Sequence, residues 1–101
     1  MQTISSAALR SRIDANESVN LLDVREPAEH AAYHIGGILL PLGQIMLMQT
    51  DEIDAMKNEE IICYCRSGSR SMQACLMLET AGFINVKNLV GGMLEWEEKY
   101  K

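Results

Sequence analysis

The chain has 101 residues, 48% of them hydrophobic, with two prolines and a formal net charge of −5; this describes one globular domain over 1–101 and excludes a disordered chain or two independently stable halves. Its nine basic residues form no long run, which excludes an electrostatic footprint for nucleic acid or an anionic membrane. No apolar stretch nears the roughly 20 residues that cross a bilayer, and "MQTISSAALRSRID" lacks the charged start and apolar middle of a signal peptide, so the expected address is the cytoplasm.

Ser5 or Ser6 caps a first helix that carries Ala8, Leu9 and Ile13 at helical spacing and stops at Asn16. "VNLLDV", Val19 to Val24, is an apolar run of strand length that ends at Arg25 and Glu26. Pro27 needs no amide partner in a first turn, so a short helix runs from there to about His34. "GGILLPL" reads as a strand entered through its glycines. A helix is expected from Gln44 to Asn58, with the all-round apolar run Ile45 to Met48 assigned to the core ahead of its alternative, an exposed patch for a protein partner. "EEIICYC" is the next strand. Ser71 to Ala81 is a helix with Met72, Cys75, Leu76, Leu78 and Ala81 on a wide apolar face, ended by Gly82. "INVKNLV" is the last strand and "MLEWEEKYK" the last helix. This alternation predicts an α/β fold whose parallel sheet is covered on both faces, with its functional loops beyond the carboxyl ends of the strands.

"ICYCRSGSRS", Ile62 to Ser71, lies where that rule puts a site. Three cysteines is an odd number, and cytosolic thiols stay reduced, so no disulfide framework is expected. Cys63 points into a strand and Cys75 lies on an apolar helix face, which makes both core thiols. Cys65 stands at the strand exit instead. The loop after it opens a helix, so Ser67, Gly68, Ser69, Arg70 and Ser71 can direct backbone amides at an anion. Arg66 and Arg70 add two permanent charges suited to oxyanions. A thiol in that field ionises below the free value of about 8.5 and becomes a nucleophile toward an anionic target. The chemistry requires position 65 to be both ionised near neutrality and open to solvent.

Asp23 and Arg25 mark a strand exit, where charged residues are common. His30 and His34 have the spacing of metal ligands on a helix, but nothing ties them to Cys63 and Cys65, and C-x-C is not a usual structural spacing. No metal site is expected, and His34 is assigned to packing or hydrogen bonding in its turn.

Three motifs together resemble the rhodanese-like sulfurtransferases: "LLDVREPAEHAAYHIGGILLPL", "CRSGSRS" and "VGGMLEWEEKY". The departures are His30 in place of tyrosine, Tyr33 in place of the glycine before histidine, and Gly36 and Ile38; none falls in the loop. The resemblance implies a three-layer α/β/α fold around a mainly parallel sheet of about five short strands. It implies a two-step reaction in which Cys65 takes the outer sulfur of thiosulfate or a similar small anionic donor, releases sulfite, and holds the sulfur as a persulfide. The acceptor would be cyanide, a small thiol or a protein thiol, and no metal or organic cofactor is needed. It also implies that Asp23 and Arg25 brace the active loop by hydrogen bonds.

A persulfide carrier loaded by a partner enzyme is the alternative, and a phosphatase or arsenate reductase the less favoured one. Related phosphatases place five residues between cysteine and arginine, whereas four separate Cys65 from Arg70. One residue fewer removes up to about 3.5 Å of chain, which crowds a bound phosphate.

Overall fold

A computed structural model describes residues 1–101. The elements are β1 (Gln2–Ile4), α1 (Ser6–Asp14), β2 (Leu21–Asp23), α2 (Pro27–Ala32), β3 (Ile38–Leu39), α3 (Leu42–Met46), a 3-10 helix (Asp51–Met56), β4 (Glu60–Tyr64), α4 (Ser69–Thr80), β5 (Asn85–Leu89) and α5 (Gly92–Tyr100). The five strands form one sheet in the order β1-β5-β4-β2-β3, and every neighbouring pair is parallel. No helix is long and apolar enough to cross a membrane.

Side chains alternate across a strand, and β4 divides its residues between two cores accordingly. Ile61, Cys63 and Cys65 pack with Ala74, Cys75 and Leu78 of α4 and with Ile45 of α3, while Ile62 and Tyr64 pack with Leu9 of α1 and with Met93 and Trp96 of α5. Each fully buried leucine or isoleucine in these layers stabilises the fold by about 1.5–3 kcal/mol. The two layers make β4 and its exit the most enclosed part of the molecule.

Local details follow the sequence with four corrections. Ser5 does cap α1, accepting the amide of Ala8 at 3.1 Å, but Gln2–Ile4 before it forms the edge strand β1. Only Ile4 of that strand is buried, so no alternating pattern announced it. The helix from Pro27 ends at Ala32, short of His34, because Tyr33 turns extended and its carbonyl accepts Arg25 Nη2 at 2.7 Å. The helix expected over Gln44–Asn58 is two pieces, α3 and the 3-10 helix, with Met48 between them at φ +59°. One helix could bury one face of the Ile45–Met48 run at most; Ile45 goes inside, and Met46, Leu47 and Met48 are exposed rather than core. Finally, α4 begins at Ser69 rather than Ser71, since Gly68 takes the left-handed conformation at its N-cap, φ +105°.

Candidate functional site

The carboxyl end of β4 delivers Cys65 beneath the first turn of α4. Its Sγ accepts the amide of Gly68 at 3.1 Å and that of Ser71 at 3.3 Å, and the Ser71 hydroxyl lies 3.3 Å away. These are the unpaired amides that a helix start leaves over, here turned on one sulfur atom. The same residue is held from the other side by α5, whose amides of Met93 and Leu94 donate to the carbonyls of Cys65 and Arg66 at 2.9 Å each. Two helix N-termini therefore fix one loop, one at the side chain and one at the backbone.

Burial pushes the Cys65 thiol up, but the Ser71 hydroxyl and the amides of Ser71, Gly68 and Ser67 outweigh it and hold the thiol below its ordinary value. Arginine charge is not among the leading causes, so the electropositive surroundings are made by amides and a hydroxyl. Cys63, by contrast, is pushed well up by its hydrogen bond with Cys75 and by burial. All three cysteines are free and buried.

The six loop residues expected to face an anion divide by role. Gly68 and Ser71 are buried against the sulfur, whereas Arg66, Ser67 and Ser69 are exposed. Ser71 is a partner of the thiol in this arrangement and has no surface to offer a donor anion. Arg70 is not a free fork either: its Nη1 and Nη2 meet Glu29 Oε1 and Oε2 at 2.7 and 2.9 Å. The hydrogen bonds from Arg70, with burial opposing them, hold the Glu29 carboxyl at about 2.

Asp23 and Arg25 form a buried forked pair, Nε to Oδ1 at 2.9 Å and Nη2 to Oδ2 at 2.8 Å. Asp23 also accepts the Arg25 amide and meets His30 Nδ1 at 2.9 Å, and Arg25 donates to the Tyr33 carbonyl. The expected bracing is therefore redirected: these bonds fix the segment from Arg25 to Tyr33, and none ends on residues 66–71. The link to the loop is indirect and runs through α2, where Glu29 holds Arg70. His34 accepts the Gly36 amide at 3.0 Å and stacks on His30 with ring centroids 3.9 Å apart, a turn role as expected.

Three participants escaped the sequence reading. Glu29 is one, and Gly92, on which α5 opens against the loop, is another. The third is Asn88, buried on β5, which donates to the Gly68 carbonyl at 3.1 Å and accepts from Ser71. The signal for Asn88 was present: in "NVKNL" it follows Val86 at strand period, a polar residue on an inward face.

One expectation is overturned. Cys65 has no exposed surface, 0%, so the sulfur is not open to solvent as the loop lies. Neither surface concavity reaches it; one of about 230 Å³ lies between Met46 and Leu76, the other beside Gln44 and Glu52. The cause is the arrangement that lowers the thiol: amides can close around a sulfur only by covering it. Reaction at Sγ would therefore require residues 66–69 to shift, against the bonds that hold the Arg66 and Gly68 carbonyls.

The family model of the rhodanese-like domain matches residues 5–99. The chain belongs to the rhodanese-like family. A sulfurtransferase of Allochromatium vinosum is 39% identical over 92% of this rhodanese-like chain and 85% of its own length. YrkF of Bacillus subtilis, a candidate sulfur carrier protein, is also 39% identical over 95% of this chain, which spans 51% of it. The human single-domain sulfurtransferase TSTD1 superposes with a TM-score of 0.83 at 26% identity, covering 100% of this chain and 99% of that one. The protein is a rhodanese-family sulfurtransferase, and its all-parallel five-stranded sheet is the fold that goes with the family.

Proposed function

We propose that the chain transfers sulfane sulfur through a persulfide on Cys65, with thiosulfate or a similar small anion as donor and a thiol or cyanide-like acceptor. Attack of the Cys65 thiolate on the outer sulfur forms an S–S bond and breaks the donor's own S–S bond, so sulfite leaves with that electron pair. A thiolate or cyanide then attacks the persulfide's outer sulfur and returns Cys65 as thiolate. Charge and atoms balance in both steps, and no oxidant is consumed.

The observation that carries this reading is the convergence of the Gly68 and Ser71 amides on Cys65 Sγ. Donors so placed stabilise a sulfur anion before reaction and act on the transferred sulfur afterward. The phosphatase reading is disfavoured by the four-residue gap between Cys65 and Arg70 and by the occupation of the Arg70 fork.

Intact mass after incubation with thiosulfate tests the proposal, followed by peptide mapping of the modified cysteine. A gain of one sulfur atom on Cys65 is expected. A protein that stays unmodified refutes direct loading and favours the carrier.

Glu29 supplies a second test. Glu29→Gln frees the Arg70 fork and removes a negative charge from the approach of an anionic donor, so KM for thiosulfate is expected to fall about two- to fivefold, the scale of a partly exposed ion pair. Acid does not substitute for the mutation. A carboxyl held at about 2 contributes its full stability above its ordinary value of 4.5, and that contribution declines as pH falls below 4.5 and is gone once pH passes through about 2. Steady-state kinetics at neutral pH decide the matter, and an unchanged KM places Arg70 outside the donor's path.

A further inference from the structure

Asn88 is buried beside the candidate nucleophile without touching it, and its contacts constrain one particular proton. The Ser71 hydroxyl has a single hydrogen and three acceptors around it: Cys65 Sγ at 3.3 Å, the Gly68 carbonyl at 3.2 Å, and Asn88 Oδ1 in closest contact. The orientation of the Asn88 amide is set by its other end, since Nδ2 donates to the Gly68 carbonyl at 3.1 Å. Turning the amide over would set two oxygens against each other there. Oδ1 therefore always faces Ser71 and always asks for its hydrogen.

With Cys65 as a thiol the network closes: S–H donates to Ser71 Oγ, and Ser71 O–H donates to Asn88. A thiolate changes the demand, because a charged acceptor draws a hydrogen bond roughly twice as strong as a neutral one. Ser71 must then turn its hydrogen to the sulfur. Asn88 Oδ1 is left facing a serine oxygen with no donor, at a residue only 5% exposed, and a buried unpaired acceptor is unfavourable. A persulfide removes the conflict, since the charge moves to the outer sulfur and Ser71 can return to Asn88.

We propose that Asn88 is a positioning residue that acts through the one hydrogen of Ser71, opposing the free thiolate of Cys65 and relaxing when that sulfur carries a second one. The proposal rests on the reading of Cys65 as the sulfur-bearing nucleophile. The titratable and charged groups of the surrounding elements are Cys63 on β4 and Cys75 on α4 in the same core layer, Arg70 on α4 with Glu29 of α2 holding it, and the Asp23–Arg25 pair at and just beyond the end of β2. From α5 the contacts are backbone amides on the Cys65 and Arg66 carbonyls. None of these touches Ser71 Oγ.

The test is the pH midpoint of alkylation at Cys65, resolved from Cys63 and Cys75 by peptide mass spectrometry, on unloaded protein. It needs no sulfur donor, so its failure is distinct from failure of the transfer reading. Asn88→Ala is expected to lower the midpoint by about one pH unit. Asn88→Thr, suited to a strand, has a hydroxyl that can donate to Ser71, and it should lower the midpoint likewise even if the alanine variant does not fold. The Gly68 carbonyl keeps the Met72 amide in either case, at 3.1 Å. In a Ser71→Ala background the same substitutions are expected to leave the midpoint in place. A loop merely loosened by loss of Asn88 would lose its ordered amides and move the midpoint up. An upward shift, no shift, or a downward shift that persists without Ser71 overturns the proposal.

Discussion

Cys65→Ser is expected to abolish sulfur loading and to reduce transfer by about a thousandfold or more, as removal of a nucleophile does in enzymes that depend on one. The substitution is close to isosteric, and the new hydroxyl meets the same partners, the amides of Gly68 and Ser71 and the Ser71 hydroxyl. Stability should therefore change little. What fails is ionisation, because donors that hold a thiol below its ordinary value cannot ionise an alcohol near neutrality. Thiocyanate formation from thiosulfate and cyanide measures the loss, and intact mass measures the loading. Cys63→Ala is the control: that thiol is pushed up and stays neutral, so its variant should load normally. Transfer surviving in Cys65→Ser would remove position 65 from the reaction.

The site was readable in the sequence to the extent that its chemistry is local. A cysteine at a strand exit, small residues after it and a helix start form one continuous segment, and the anion-facing amides follow from backbone rules alone. Long-range partners left weaker traces. Glu29 lies 41 residues from Arg70 and Asn88 lies 17 from Ser71, and pairings at such separations are set by strand order. The register that puts Cys63 opposite Asn88 is a property of the assembled sheet. Burial of Cys65 was missed for a related reason: the loop's composition shows how many donors it holds, not that they close over the sulfur. Among the elements, those with an apolar stripe or a strong cap were found near their ends, and the errors fell on a three-residue edge strand and on the Ile45–Met48 run, where periodicity carries no information.

Gly92→Ala is expected to destabilise the protein by about 3 kcal/mol or more and to disable the loop with it. A Cβ at this position would lie 2.6 Å from the carbonyl oxygens of both Cys65 and Arg66. Those are backbone atoms held by the Met93 and Leu94 amides, so relief requires α5 to back away from the loop and release both bonds. The positive φ of +54° adds about 1–2 kcal/mol for any residue with a side chain. Gly82→Ala separates the two contributions. Gly82 also has a positive φ, +100°, but nothing lies within 4 Å of its Cβ position, so it should show the conformational cost alone. At about 4–8 °C per kcal/mol for a domain of this size, the Gly92 variant should melt more than about 12 °C below the wild type and the Gly82 variant much closer to it. The Cys65 alkylation midpoint provides the functional half of the comparison: it should rise in Gly92→Ala, where the amide ring is pulled out of register, and stay in place in Gly82→Ala. Equal melting losses in the two variants would show that the close approach of α5 to the Cys65 peptide contributes nothing beyond backbone conformation.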